Sequence, residues 1–298
     1  MLQEKENGIE VVGVLSEVDV EEKKTSDDRE YISGKITIKS HIKLHGEELE
    51  VEIPFNVFSF KYTKAGGLNP SYESIKNVSE KMTSIASCGD ETKASYIRVY
   101  QDKGGIRENS FYDKTGRLVE TARPQSGFFN LVPRDKYEDK ATFQSVIFIL
   151  AIEDEIDRDG VPTGCKKIKG AMPGYNGTIN VVDYKVDSKQ AIEHIESFWS
   201  KGDTVKVYGA IAYTVETQKI VEEVGFGDPI EKIITRNKKE LIITSGSPTP
   251  LDAEEAFDSA EMVKAMAARK AELEKKKEEA SKPAPVVKAT ATESDWGF

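Results

Sequence analysis

From Tyr31 to Leu44 the chain alternates almost without exception. Ile32, Gly34, Ile36, Ile38, Ser40, Ile42 and Leu44 take the even positions, and Tyr31, Ser33, Lys35, Thr37, Lys39, His41 and Lys43 the odd ones. Successive side chains of a strand leave opposite faces, so the stretch predicts a strand with one aliphatic face. Its other face carries three lysines, a Tyr and a His. A strand over 9–20 precedes it across a charged turn at 21–28. A third follows the turn at 44–47, with Leu49, Val51, Ile53, Phe55 and Val57 on one side. Phe58, Phe60 and Tyr62 then fall on the other parity. Either a bulge near Val57 returns these rings to the core or they emerge on the outer face, and the core is the expectation.

Asn69-Pro70 pairs an N-cap residue with a proline at the first helical position. Tyr72, Ile75, Val78, Met82 and Ile85 continue from it at spacings of three and four, predicting one helix that ends at 87–90. A strand over 96–101 follows. A helix between the third and fourth strands of a small antiparallel sheet is the connection order of the OB fold. The pattern then restarts. Residues 143–156 read as a strand apolar on both faces, and 178–186 as the next strand. A helix is expected over 187–199, with Asp187 and Gln190 in capping-box positions and Ile192, Ile195 and Trp199 on one face. An alternating strand follows over 203–216, with Val205, Val207, Ile211 and Val215 inward. Residues 233–244 read as a closing strand or hairpin that turns at Asn237-Lys238-Lys239.

The predicted fold class is therefore mainly β with inserted helices: two OB-fold-like small barrels, over 8–135 and 140–247. Pro248-Thr249-Pro250 separates off a third part, 248–298. Its first stretch, to Ala280, reads as a semi-rigid helical spacer with a short stripe of Phe257, Ala260, Val263 and Ala267, and the rest as a disordered tail.

Composition agrees with this layout. A chain of 298 residues has room for about two ordinary domains. No apolar run reaches the roughly 18 residues that a membrane span needs, and the first residues are not those of a signal peptide. Cys88 and Cys165 have no spaced partners and read as isolated thiols, which fits a reducing, cytoplasmic setting. The net charge is −10, a mild argument against nucleic acid, although the local field along one groove is what matters. Residues 98–134 carry seven basic against four acidic side chains and are interleaved with Phe111, Tyr112, Phe128 and Phe129.

Catalytic chemistry is hard to assemble. His41 and His45 lie on a strand and its turn, and His194 has no Cys or His at ligand spacing, so no metal is expected. The stretch Gly160–Lys166 has one residue too few between its glycines for a phosphate loop, and no Ser or Thr after the lysine. No nucleophile, base and orienting acid stand out. The chain reads as a binder without a cofactor, not as an enzyme.

The last residues differ from the tail before them. After twelve small, polar and Pro-containing residues, 281–292, the chain ends in Glu293-Ser294-Asp295-Trp296-Gly297-Phe298. Two carboxylates, two aromatic rings and the terminal carboxylate on a flexible leash suit a basic-rimmed apolar pocket on another protein. In this tip, and in the barrels followed by a leash, the chain resembles the single-stranded DNA-binding proteins of bacteria and their phages. It looks most like a tandem-OB phage member. It departs from the bacterial pattern in having Gly297 where Pro usually stands, Trp296 before it, and two barrels in one chain.

The resemblance implies a protein that coats single-stranded DNA during replication, recombination or repair. Its partner-binding tip, Asp295, Trp296, Gly297 and Phe298, would recruit helicases, polymerases, recombinases or nucleases. Base stacking on aromatic rings beside phosphate-pairing cations is the chemistry such binding uses. The candidates are Tyr31 with Lys35 and Lys39 on one strand face, and Tyr96, Arg98 and Tyr100 on another. Arg107, Phe111, Tyr112, Arg117 and Arg123 are candidates for a loop that closes over the strand. In the second barrel they are Lys167, Lys169, Tyr208 and Arg236, with Lys166, Tyr175 and Lys238 as weaker additions. A two-barrel protein–protein adaptor or structural protein is the alternative, to be told apart by the absence of salt-sensitive oligonucleotide binding.

Overall fold

The strands expected from the alternation of residues 31–57 are present in the computed structural model. It describes residues 2–113, 115–157, 159–174, 177–222 and 230–280, except for the side chains of 216–222, 230–236 and 279–280. Strands β1 (Asn7–Lys24), β2 (Glu30–Leu44) and β3 (Glu47–Phe60) form an antiparallel meander. Helices α1 (Pro70–Lys81) and α2 (Ile85–Cys88) follow, and then β4 (Tyr96–Val99) returns to pair with β1. Strands β5 (Gly104–Tyr112) and β6 (Leu118–Ser126) make a separate two-stranded sheet, and the short β7 (Asn130–Leu131) pairs with β4. The hairpin packs against β3 and β1 without joining their ladder.

The second half closes completely. Strands β8 (Lys140–Ile156), β9 (Pro162–Pro173) and β10 (Ile179–Val186) are followed by helix α3 (Lys189–Phe198), then β11 (Thr204–Glu222) and β12 (Ile230–Gly246). Their pairing runs β8–β9–β10–β12–β11 and back to β8, a closed five-stranded barrel with one parallel contact, β10 to β12. The helix enters between the third and fourth strands, which is the OB connection. Lys167 and Lys169 alternate with the buried Ile168, so the lysine-rich stretch belongs to the barrel's second strand.

The two halves share one sheet and one core. Asn7–Val12 of β1 pair antiparallel with Lys140–Ser145 of β8. Ile9, Ile36, Phe55, Ile147 and Ile211 are all fully buried in the same apolar cluster. Cys88 and Cys165 are free thiols. Among the described residues no helix is long and apolar enough to cross a membrane.

Five local expectations are corrected. Phe58 and Phe60 stay on the outer face, because β3 keeps strict alternation with Val57 and Ser59 buried and no bulge between them. The helix expected to run on through Ile85 breaks at Met82, whose backbone is extended. Ser84 then caps α2 through a reciprocal bond with Ser87, the usual competition of a short hydroxyl side chain with helix continuation. Asp187 does not cap α3: Ser188 is the N-cap residue, and the Asp187 carboxylate lies 2.8 Å from Nε2 of His45 on the β2–β3 turn. Asn237, Lys238 and Lys239 do not turn, since the ladder with Val215, Thr214 and Tyr213 occupies their backbone. There β11 and β12 have left the barrel as a ribbon, and Val215 is 49% exposed instead of inward.

The last correction concerns the spacer. Helix α4 (Ser259–Ala280) lies against the second barrel, with Met262 and Leu273 buried, as is Phe257 just before it. Phe257 and Met262 cover Val146, Phe148, Ala171, Ile179 and Val181 on the outer faces of β8, β9 and β10. Val263 of the expected stripe is 65% exposed.

Candidate nucleic-acid interface

The outer face of β2 and β3 is built by register. Tyr31 stands opposite Phe60, Ser33 opposite Phe58, and Lys35 opposite Asn56. The Tyr31 and Phe58 ring centroids are 5.3 Å apart, and Phe58 and Phe60 meet edge to face at 5.1 Å. The Arg29 guanidinium lies 4.8 Å from the Phe60 ring. Phe58 is 58% exposed, so the cluster presents apolar ring area to solvent in the form that a stacked base can cover.

Two clefts continue from this face where the first barrel fails to close, and they meet at Asn56. One, of about 590 Å³, is lined by Asn56, Phe58, Lys103, Arg107, Gln125 and Phe128. Lys103 Nζ lies 5.9 Å from the Phe128 ring centroid. The other, of about 340 Å³, is lined by Lys35, Asn56, Arg123, Tyr213, Lys238 and Lys239, with Glu17 and Glu52 among its acidic walls. Tyr213 is buried, its phenol is pushed well above its ordinary value by that burial, and its hydroxyl donates to the Ala122 carbonyl at 3.0 Å.

The β5–β6 hairpin forms the shared wall. Asn7 substitutes for a ladder: its Nδ2 donates to the Ile106 carbonyl at 2.8 Å, and the Ile106 N–H donates to its Oδ1 at 3.0 Å. Gly105 makes the approach possible, since a Cβ there would stand 2.7 Å from the Asn7 carbonyl oxygen. Arg107 and Arg123 are direct cross-strand partners on this hairpin. Like charges placed opposite each other oppose the pairing. Among the described residues Arg107 has one ion pair, with Glu4 at 3.7 Å, and Arg123 has none. Three lysines of the clefts are more neutralised: Lys35 pairs with Glu17 at 2.6 Å, Lys103 with Asp102 at 3.1 Å and Lys238 with Glu240 at 3.2 Å.

Of the candidates read from the sequence, the structure brings together Tyr31, Lys35, Arg107 and Arg123, with Lys238 from the weaker set. Lys39 lies on the same face but is held by Glu50 at 2.8 Å and Glu91 at 3.1 Å, bonds that raise its ammonium pKa. Tyr96, Arg98 and Tyr100 are elsewhere, on and just after β4. Tyr96 is 5% exposed and its hydroxyl donates to Asp139 at 2.7 Å, so it has no free face for stacking. Arg98 pairs with Glu10 and lies 4.2 Å from the Tyr100 ring and 5.0 Å from that of Tyr137. Phe111, Tyr112 and Arg117 sit at the far end of the hairpin, where Phe111 is 44% exposed.

On the second barrel Lys167 pairs with Asp183 at 2.6 Å, Lys169 with Glu120 at 3.1 Å, and Lys166 with Asp154 and Glu196, each at 2.7 Å. Tyr208 lines a groove beside Thr142 and Gln144 of β8, with Lys206 Nζ 5.4 Å from its ring. Tyr175, the side chain of Arg236 and the tip Asp295, Trp296, Gly297 and Phe298 lie outside the described residues.

Sequence reasoning missed Asn56, Phe58, Phe60, Lys103, Phe128 and Lys239. For Phe58 and Phe60 the signal was present as unbroken period-two spacing. For Phe128 it was not: its neighbour Phe129 is buried edge-on against Phe55 at 5.5 Å, and nothing local distinguishes the two rings.

Strand order and helix position define a mainly β protein of OB-type architecture, closed in its second half and open at the clefts in its first. The chain belongs to the YorF family, whose model matches residues 5–279. No curated protein matches its sequence. Among solved structures it is similar to the wild-type single-stranded DNA binding protein from Thermus aquaticus, with a TM-score of 0.46 and 11% identity, covering 83% of this chain and 94% of that one. A deletion mutant of the same protein gives a TM-score of 0.46 and 12% identity, with 83% and 95% covered.

Proposed function

We propose that the chain binds single-stranded DNA along the outer face of β2–β3 and the two clefts that meet at Asn56. The observation that carries the reading is the continuity of exposed rings with under-neutralised arginines. Tyr31, Phe58 and Phe60 lead to Phe128 and Lys103, and from there to Arg107 and Arg123. Rings supply sequence-tolerant stacking, each base contributing about 1–3 kcal/mol, and the guanidiniums pair with phosphates. Unpaired bases are needed for the stacking, because a duplex hides its base faces.

The lining of the clefts bears on the objection from net charge: Lys103 and Arg107 stand against Asp102 in one, and Lys35, Arg123, Lys238 and Lys239 against Glu17 and Glu52 in the other. Coating of strands during replication or recombination, and recruitment of partners through Asp295–Phe298, complete the proposal. Its recruiting part is supported by the sequence of the tip.

The test is a fluorescence-anisotropy titration of labelled oligo-dT and of a duplex of equal length with the full chain, from low to high salt. Binding of oligo-dT that weakens steeply with salt and exceeds duplex binding is expected. Absence of salt-sensitive oligo-dT binding would discard the proposal in favour of a protein–protein adaptor.

A further inference from the structure

The β5–β6 hairpin is a two-stranded sheet outside both barrels' ladders. A lone hairpin is marginal in water, so its position must be set by side chains that reach it from elsewhere. Its two faces do different things, because consecutive residues of a strand point to opposite sides. Arg107 and Arg123 leave one face. Glu108 and Glu120 leave the other, and one cation joins them: Arg269 of α4.

Arg269 is 15% exposed. It donates to Glu108 through Nη2 and through Nε, the latter at 3.3 Å, and to Glu120 through Nη2 at 2.8 Å. The Glu108 side chain is 7% exposed and also accepts the Val181 N–H of β10 at 2.5 Å. The Glu108 N–H donates to Asn180 Oδ1 at 3.2 Å. Helix, hairpin and second barrel thus converge on one carboxylate. No residue of α4 lines either cleft.

We infer that Arg269 is a positioning residue of the nucleic-acid site, acting through Glu108 and Glu120 to hold the hairpin where Arg107 and Arg123 both face the strand. The inference rests on the binding site proposed above. Without the guanidinium, Glu120 keeps Lys169, but the buried Glu108 loses its cation and must swing towards water, carrying the hairpin with it. The C-terminal helix is then a part of the binding unit that touches no nucleic acid.

The experiment uses full-length Arg269→Ala, Arg269→Lys and Glu120→Gln, with Arg107→Ala/Arg123→Ala as reference. Each is titrated with oligo-dT across a salt series, and amide hydrogen exchange is followed on the same proteins without DNA. For Arg269→Ala the expected result is faster exchange across 104–126 with β8–β12 protection kept, and at least about tenfold weaker binding. The log–log salt slope should be shallower by up to about 1.4, two phosphate contacts at roughly 0.7 each for single strands. Arg269→Lys should restore part of the affinity, because a point charge can bridge the carboxylates without the fork geometry. Glu120→Gln, which leaves the buried pair intact, should shift both readouts the same way by less, and it keeps the test open if Arg269→Ala fails to fold.

The reference variant should lose the same slope with unchanged exchange. Wild-type affinity and slope in Arg269→Ala, beside a weakened reference variant, would overturn the positioning role. Wild-type binding by the reference variant would locate the failure in the proposed site, and the inference would fall with it.

Discussion

Arg107 and Arg123 face each other across the β5–β6 hairpin, and each lines a different cleft. The arrangement works against the hairpin's own stability, which makes sense where an anion lies between or along them. Stability given up at a position that a ligand later satisfies is the familiar signature of a binding site.

That trade-off has a measurable form. Replacing Arg123 by Ala should leave thermal stability unchanged or raise it by about 0.2–1 kcal/mol through relief of the like-charge pair. It should also flatten the salt dependence of oligo-dT binding by about 0.7. A lowered melting temperature with an unchanged slope would make Arg123 a structural residue.

The rings separate in the same way. Phe58→Ala removes an exposed side chain and should change stability by no more than about 0.5 kcal/mol. Oligo-dT affinity should fall roughly 5- to 150-fold, the equivalent of one stacked base. Phe129→Ala is the control, since it empties a buried site and should cost about 3–5 kcal/mol in urea unfolding. Equal effects of the two substitutions on stability would contradict the assignment of faces.

Tyr96 belongs with the core. Tyr96→Ala should destabilise the fold by about 3–5 kcal/mol. Tyr96→Phe removes the donor to Asp139 Oδ1, whose other oxygen keeps the His41 N–H, and should cost about 1–3 kcal/mol. Oligo-dT affinity of the folded Tyr96→Phe protein should equal that of wild type. A Phe variant with weakened binding and an unshifted urea midpoint would return Tyr96 to the site.

Acid should unfold the protein through its ion-paired carboxylates. Burial works to raise the Glu10 carboxyl, but Lys140 and Arg98 outweigh it and hold it below 4.5. Burial likewise opposes, and Arg269 and Lys169 overcome, at Glu120. A carboxyl lowered on folding contributes stability that is present above its unfolded value and lost as pH falls through the folded one. Denaturation midpoints should therefore be flat from pH 7 to 5 and drop below about 4.5, with a shallower drop in Glu10→Gln. On the alkaline side Lys185 is disfavoured by burial, yet Glu155 and Glu240 push it up to about 12. Its contribution is complete below 10.5 and fades only as pH rises through 12. An acid limb identical in wild type and Glu10→Gln would exclude Glu10 from the linkage.

The strands of this protein were legible wherever one face is buried and the other wet, because period-two spacing is a local property that any strand must carry to reach a core. Tyr31–Leu44 is the clearest case, and Asn69-Pro70 marked the start of α1 for an equally local reason. Local signals misled where distant partners override them. Asn237-Lys238-Lys239 looks like a turn, but the ladder from β11 satisfies its backbone, and a paired strand has no need to reverse there.

Tyr96 and Phe58 were exchanged in the reading for a related reason. Both sit on regular alternating strands, and what covers a face is decided by segments far away in the chain. Tyr96 is covered by Asp139 and its surroundings, while among the described residues Phe58 keeps 58% of its surface open. The chain by itself therefore determined most of its elements, their order and the inward side of strands as regular as Tyr31–Leu44. Only the tertiary structure decided that the second barrel closes while the first stays open, and that a helix near the C-terminus pins a hairpin carrying two opposed arginines. Those outcomes depend on contacts between residues far apart in the chain, from Thr204 with Phe148 where the barrel closes to Arg269 with Glu108, and no periodicity in the sequence encodes which pairs will meet.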